Sequence, residues 1–202
     1  MPYAFAQIAF TPAVRAEQAR RGSADAYAKA LSPLRDGGRQ LTEREATFLE
    51  ARDGFYQATV SETGWPYVQF RGGRPGFLRV LDAQTLGYAD YRGNRQYIST
   101  GNLQGDPRVS IIAMDYPNRQ RLKLWGRVTL SEKPDLIEAL QVSDGPRAER
   151  AVLIGIEAFD WNCPQHIPQR RTDGEQGEEL ARLQARIEAL EAQLARNDAG
   201  QH

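Results

Sequence analysis

The densest group of anion-binding side chains is Tyr91-Arg92-Gly93-Asn94-Arg95-Gln96, set directly after a predicted strand that ends at Asp90. Two guanidinium groups, a glycine permitting close backbone approach and the amides opening a following helix are the donors that a terminal phosphate requires. The same residues would also serve as an ordinary solvated turn, because arginine is abundant along the chain. Context is supplied by Phe70-Arg71-Gly72-Gly73 on the preceding hairpin, and by Asn102-Leu103 and Asp106-Pro107-Arg108-Val109 leading into a strand at 110–114. The second chemistry-bearing stretch is the loop holding Trp161, Asn162, Cys163, Pro164, Gln165, His166 and Pro168. It is too polar and too proline-restricted for a core. Cys163 reads as a small buried filler rather than a nucleophile, since no imidazole partner stands at a known spacing. His166 is either a donor to a ligand or a structural hydrogen-bonder.

These residues need a scaffold, and the texture of the chain says which. Residues 1–54 are rich in Ala, Arg, Glu and Leu, and Thr42 with Glu45 has capping-box spacing before Phe48 and Leu49, predicting a helix over 43–52. From Phe55 to about Glu157 short runs of Val, Ile, Tyr, Phe and Thr alternate with Gly, Pro and Asp. Strands are predicted near 56–61, 67–71, 76–81, 86–90, 109–114, 121–130 and 151–157, with helices at 96–103 and 134–142. The fold class is therefore mainly β with helices, a barrel with helical insertions. Beyond Asp173, Leu180, Leu183, Ile187, Leu190 and Leu194 are spaced 3, 4, 3, 4, the a/d seam of a short coiled coil or the apolar stripe of a helix lying on its own domain. The domain plan is a helical segment 1–54, a barrel 55–172 and a coiled-coil tail 173–202.

Several function classes drop out. Lys plus Arg and Asp plus Glu are both 26, so no global positive field exists to hold nucleic acid. The apolar runs fall far short of the roughly 20 residues that span a bilayer, and the first residues lack the basic region of a signal peptide. No nucleic acid and no membrane partner are expected, and cytoplasmic is the default location. One cysteine and two histidines leave neither an intramolecular disulfide nor a zinc site.

The order of motifs resembles a known family. Gly93-Asn94-Arg95-Gln96, the Asp106-Pro107-Arg108-Val109 turn and Leu122-Lys123-Leu124-Trp125-Gly126-Arg127-Val128 resemble the FMN-binding split β-barrels of the pyridoxamine 5'-phosphate oxidase-like superfamily. Arg52-Asp53-Gly54-Phe55-Tyr56, Gly64-Trp65-Pro66-Tyr67-Val68-Gln69 and Asn162-Cys163-Pro164-Gln165-His166-Ile167 are similar to its branch of predicted flavin-nucleotide-binding proteins. The resemblance covers about residues 40–170. It implies an FMN-binding split β-barrel flanked by N-terminal helices and a C-terminal coiled-coil helix, forming a homodimer with FMN at the interface.

The resemblance also implies roles. A Gly-Ser-Arg-Lys element grips the FMN phosphate in that superfamily, and here Gly93, Asn94, Arg95 and Gln96 stand in its place without the Lys. Arg95 keeps the phosphate role, Asn94 replaces the Ser hydroxyl, Arg92 or Arg71 supplies the missing cation, and Ser99 adds a hydroxyl. Ala89 and Asp90 run beside the isoalloxazine ring, with Gln69 and Arg71 on the flanking strand. Arg121 and Lys123 approach the flavin from the partner subunit, and the segment with Trp161, Cys163, Gln165 and His166 closes over it. Alternation puts Lys123 and Trp125 on one face, which either meets the flavin or is plain surface. The expected function is FMN-dependent oxidation or reduction of a small-molecule substrate, with a non-catalytic flavin-binding or redox-sensing module as the alternative. Deazaflavin or haem are further options for the cofactor, and the tail is expected to reinforce the dimer or build a higher oligomer.

Overall fold

The computed structural model describes residues 3–32, 37–142, 147–161 and 163–199. The chain divides into a larger unit, residues 1–115 with 120–164, and a smaller one, residues 116–119 with 165–202. The larger unit contains β1 (Gly54–Val60), β2 (Pro66–Gly72), β3 (Arg79–Asp82), β4 (Thr85–Tyr91), β5 (Arg108–Asp115), β6 (Gln120–Ser131) and β7 (Ala148–Trp161). They form one antiparallel sheet in the order β2-β1-β5-β6-β7-β4-β3. Period-two alternation turns Phe55 of β1, Leu86 and Tyr88 of β4, Val109 and Ile111 of β5, Leu122 and Leu124 of β6 and Ile154 of β7 into one buried core.

Strands β2 and β4 stand near opposite ends of that order and share no backbone ladder. Side chains close the gap. Arg71 Nη1 on β2 donates to Asp90 Oδ1 on β4 at 2.8 Å. Arg150 on β7, directly opposite Asp90 in the ladder, puts Nε 3.5 Å from the other carboxylate oxygen. One layer deeper, the Tyr88 hydroxyl donates to Gln57 Oε1 of β1 at 3.0 Å. Burial pushes the Tyr88 phenol up to about 12, so it remains a donor throughout the physiological range.

Helices cover the openings. α5 (Ile98–Gly105) enters one end, where Ser99 Oγ donates to Gln69 Oε1 at 2.9 Å and Asn102 Nδ2 to Thr59 Oγ1 at 3.0 Å. α4 (Glu43–Glu50) buries Phe48 and Leu49. Its Glu45 carboxylate reaches back to the Thr42 amide at 3.0 Å, as the capping-box spacing requires, and also accepts the Trp161 indole N–H at 2.6 Å. Burial pushes the Glu45 carboxyl up, but the bonds from Thr42 and Trp161 outweigh it and hold the group below its ordinary value. α6 (Pro134–Leu140) lays Leu140 on Gly87, where an added Cβ would meet the leucine methyl at 3.0 Å. α1 (Ala4–Ala9), α2 (Pro12–Arg20) and α3 (Ala24–Ala28) form an N-terminal arm. Phe5 of the arm stacks on Trp125 of β6, ring centroids 4.5 Å apart.

Three element boundaries differ from the sequence expectation, each for a local reason. The strand predicted at 76–81 starts at Arg79, because Gly76 has φ +88° and the Phe77 amide closes a turn on the Arg74 carbonyl. The helix predicted at 96–103 starts at Ile98, because Arg95 and Tyr97 are both left-handed, φ 64° and 50°. The last strand runs from Ala148 to Trp161 rather than 151–157, since the long β6 offers pairing partners as far as Leu122 opposite Trp161.

The smaller unit carries α7 (Asp173–Ala199), on which Leu180, Leu183, Ile187 and Leu190 are 42–57% exposed. Its loops are tied by Gln169, which donates to the Pro117 carbonyl at 2.9 Å and accepts from Arg119 at 3.1 Å. Among the described residues no helix is long and apolar enough to cross a membrane, and no cluster of His, Cys, Asp or Glu could hold a metal ion.

Two substitutions test this architecture. Asp90→Asn leaves the buried Arg71 guanidinium without its counter-charge, while Arg150 keeps Glu149, and should cost about 3 kcal/mol, read as a lower urea midpoint with an unchanged slope. Gly126 sits at the register shift of β6 and β7, where a Cβ would lie 2.5 Å from the Gly155 carbonyl oxygen. Gly126→Ala should destabilise by about 1–3 kcal/mol, whereas Gly101→Ala, in open space on α5, should leave stability unchanged or raise it by up to ~1 kcal/mol. Calorimetric melting of the two variants separates these signs.

Candidate functional site

Two cavities meet at the β2–β4 seam. The first, about 370 Å³, is walled by Phe70, Phe77, Tyr88 and the backbone around Ala89, with Arg71 and Asp90 at its edge. The second, about 300 Å³, runs from Gln69 and Arg71 along Arg92, Asn94 and Arg95 to Ser99. Arg71, Asp90 and Tyr91 line both, so an apolar slot opens directly into a polar one.

The polar cavity holds excess positive charge. Arg71, Arg92 and Arg95 line it against one carboxylate, Asp90, and Arg150 and Glu149 stand outside the lining, paired to Asp90 and to each other. Glu149 accepts from Arg150 at 3.0 Å and from the Tyr97 hydroxyl at 3.1 Å, and Arg92 stands 3.9 Å from it. Arg95 is exposed and has no hydrogen bond or ion pair among the described residues. The Nε of Arg71 is buried without a hydrogen-bond acceptor, and that of Arg150 has only its long 3.5 Å contact to the Asp90 carboxylate. A buried N–H left in that state costs free energy that an incoming oxyanion would recover. Gly93, Arg95 and Tyr97 all have positive φ, which bends the loop around the cavity mouth.

The residues singled out in the sequence divide into three groups. Gln69, Arg71, Asp90, Arg92, Asn94, Arg95, Gln96 and Ser99 line the polar cavity, and Ala89 lines the apolar one. Two donors here are already committed: the Ser99 hydroxyl proton goes to Gln69, and the Gln96 backbone N–H to Asn94 Oδ1 at 3.2 Å. Asn94 therefore keeps its amide NH₂ for a ligand. Asp90 is clamped between arginines, so it orients them rather than presenting a free carboxylate.

The second group lies elsewhere in the larger unit. Lys123 puts Nζ 4.5 Å from the Phe5 ring centroid, half-buried under the N-terminal arm. Arg121 lies on the same strand with its Nε buried and unpartnered. Trp161 packs edge-on against Phe48 at 4.7 Å beneath the Arg44 guanidinium, and so latches α4 to β7. Cys163 is exposed, not a buried filler: β7 ends at Trp161, and the chain leaves the sheet before Pro164. The third group, Gln165 and His166, belongs to the smaller unit, where both are exposed and His166 has φ 65°. Asn162 lies outside the described residues.

Sequence reasoning missed Arg150 and Glu149. Neither sits in a motif, and Arg150 reaches the site only because β7 pairs with β4 in the register that sets it opposite Asp90.

An apolar slot joined to a cavity with an unpaired guanidinium donor suits a flavin cofactor. The pyridoxamine 5'-phosphate oxidase sequence profile matches residues 41–162, well over half of the chain. A search of curated proteins gives no match. Among solved structures, HupZ from Group A Streptococcus aligns at 16% identity and a TM-score of 0.51, covering 65% of this chain and all of its own. An FMN-binding protein from Syntrophomonas wolfei aligns at 10% identity and 0.48, covering 59% and 85%. General stress protein 26 from Bacillus anthracis aligns at 13% and 0.44, covering 57% and 88%. The HupZ likeness speaks for the fold alone. With the profile match, the seven-stranded split barrel and the motifs in order, the chain belongs to the pyridoxamine 5'-phosphate oxidase family.

Proposed function

We propose that this protein is a flavoprotein that binds FMN and uses it to oxidise or reduce a small molecule. The observation that carries the reading is the arginine-lined cavity of the 92–96 loop opening into the apolar slot over Tyr88. Arg95, with Arg92 and Arg71 beside it, would take the terminal phosphate, and the Asn94 amide would donate to it. The isoalloxazine ring would lie along Ala89 and Asp90, with Phe70 and Phe77 excluding water from it. When bound, the flavin supplies hydride and electron acceptance at its ring. The chain fixes ring and phosphate relative to each other, because both cavities share Arg71 and Asp90.

A homodimer is part of the proposal. The outward face of β1 and β2 exposes Tyr56, Val60, Val68 and Phe70, next to Trp65 at 76% exposure. An apolar surface of this kind suits burial against a second copy. Arg121 and Lys123, absent from the two cavities within one chain, are the residues a partner would contribute. The exposed seam of α7 supports a second role for the tail. Leu180 and Ile187 at a, Leu183 and Leu190 at d, and Arg186 at g facing Glu191 at the next e fit a parallel two-stranded coil between the two tails. That seam would equally serve a flavin-binding module that recruits a partner without turnover. Anaerobic reduction by a nicotinamide cofactor separates the two readings.

Arg95→Ala should lower FMN affinity about tenfold or more and leave the weaker binding of riboflavin, which lacks the phosphate, unchanged. Equal FMN affinity in the variant, measured by flavin fluorescence quenching, rejects the assignment. Removing residues 175–202 should leave FMN bound while lowering dimer stability or the oligomer size seen by light scattering. Loss of flavin from the truncated chain would instead assign the tail to the barrel.

A further inference from the structure

The loop that carries Asn94 and Arg95 does little to fix its own shape. Gly93, Arg95 and Tyr97 are all left-handed, at φ 48°, 64° and 50°. Glycine adopts that region freely, whereas arginine and tyrosine leave it unless a contact elsewhere holds them. Among the described residues the Arg95 side chain makes no bond, and the Gln96 backbone N–H, on Asn94 Oδ1, ties the turn only to itself.

The side chains that reach out of the turn converge on β7. The Tyr97 hydroxyl donates to Glu149 Oε1 at 3.1 Å, and Arg92 Nε stands 3.9 Å from the same oxygen. The Arg150 guanidinium lies over the Tyr97 ring, 5.5 Å from its centroid. Glu149 and Arg150 are themselves held, 3.0 Å from each other, with Arg150 in turn 3.5 Å from Asp90. Arg92 is 65% exposed and its contact is long, so it restrains the turn weakly. Tyr97 is placed to restrain it firmly. It caps α5, its carbonyl accepts the Gly101 amide at 2.8 Å, and it lines the polar cavity together with Arg95. One side chain therefore joins the turn, the helix that follows it and the ion cluster of the seam.

Glu149 supplies two things with opposite effects on a bound phosphate. Its negative charge repels the ligand, while its oxygen accepts the Tyr97 hydroxyl. The two are separable, because glutamine keeps an acceptor without the charge and alanine keeps neither.

We propose that Tyr97 is a positioning residue for phosphate binding, its hydroxyl bond to Glu149 holding the left-handed turn in the shape that sets Asn94 and Arg95 along the polar cavity. The inference rests on the reading of that cavity as the flavin phosphate site.

The test measures FMN and riboflavin affinities of the full-length protein by flavin fluorescence quenching, the ratio of the two isolating what the phosphate contributes. Tyr97→Phe keeps the ring and loses the donor. It should lower the preference for FMN over riboflavin about fivefold, through FMN alone. Glu149→Gln should hold that preference at or above the parent's, and Glu149→Ala should fall about fivefold below Glu149→Gln. Added to Glu149→Gln, Tyr97→Phe should again cost about fivefold; added to Glu149→Ala it should change nothing. In the flavin-free protein Tyr97→Phe should speed amide hydrogen exchange across residues 93–101. An unchanged preference in Tyr97→Phe, equal losses of FMN and riboflavin, equal preferences in Glu149→Gln and Glu149→Ala, or an undiminished effect of Tyr97→Phe beside Glu149→Ala would each overturn the proposal. FMN binding indifferent to Arg95→Ala would instead refute the phosphate assignment of the cavity. A parent protein that binds neither flavin would refute the flavoprotein reading and the phosphate role with it, and the exchange rates would still decide whether the bond holds the turn.

Discussion

The contact on which the rest depends is the ion cluster of Arg71, Asp90 and Arg150. A sheet whose end strands share no backbone ladder is held closed only by what its side chains do across the gap, and here a buried carboxylate between two guanidinium groups does it. Water-exposed pairs contribute little, but these side chains are 8–19% exposed, so removing Asp90 strands the Arg71 guanidinium. The same three residues set the spacing between the apolar slot and the arginine-lined cavity. Closure of the barrel and shape of the site are thus one interaction seen from two sides, and Tyr88 on Gln57 repeats it one layer down with neutral groups.

Much of this was legible in the sequence, for reasons that can be named. Alternation in β1, β5 and β6 marks the strands because one face of each is more buried, and the Thr42 and Glu45 spacing marks α4 because the bond it encodes is local. The 92–96 loop stood out by composition. What was not legible is long-range register: nothing near Arg150 announces that it will face Asp90, and nothing near Trp161 that its indole will bond a glutamate 116 positions earlier. Cys163 was misjudged on residue type, which favours burial, when the decisive fact was where β7 ends.

The two terminal additions follow different physics. In the N-terminal arm α2 buries nothing, and it is α1, through Ala4, Phe5 and Ala6, that packs on the barrel at Ala158 and Trp125. The tail has a strict stripe but leaves it exposed. A narrow stripe left in water is a different arrangement from an arm held by a few small and aromatic residues at its first helix.

The open order of the sheet has a further consequence, for handling and for disease-like failure of the chain. β2 and β3 are the end strands; Glu50 of α4 accepts the Val80 amide of β3, while β2 has no further strand beside it and adds Val68 and Phe70 on its outer face, both more than half exposed. Such an edge is a template for strand addition by another molecule. The chain guards it sparingly: Pro66 offers no amide hydrogen at the start of β2, and glycines at 72 and 73 end the strand early. Whatever loosens the Arg71 anchor also frees that edge, so weakening of a single buried ion cluster would show itself first as fibrillar or amorphous self-association, before any loss of secondary structure could be seen.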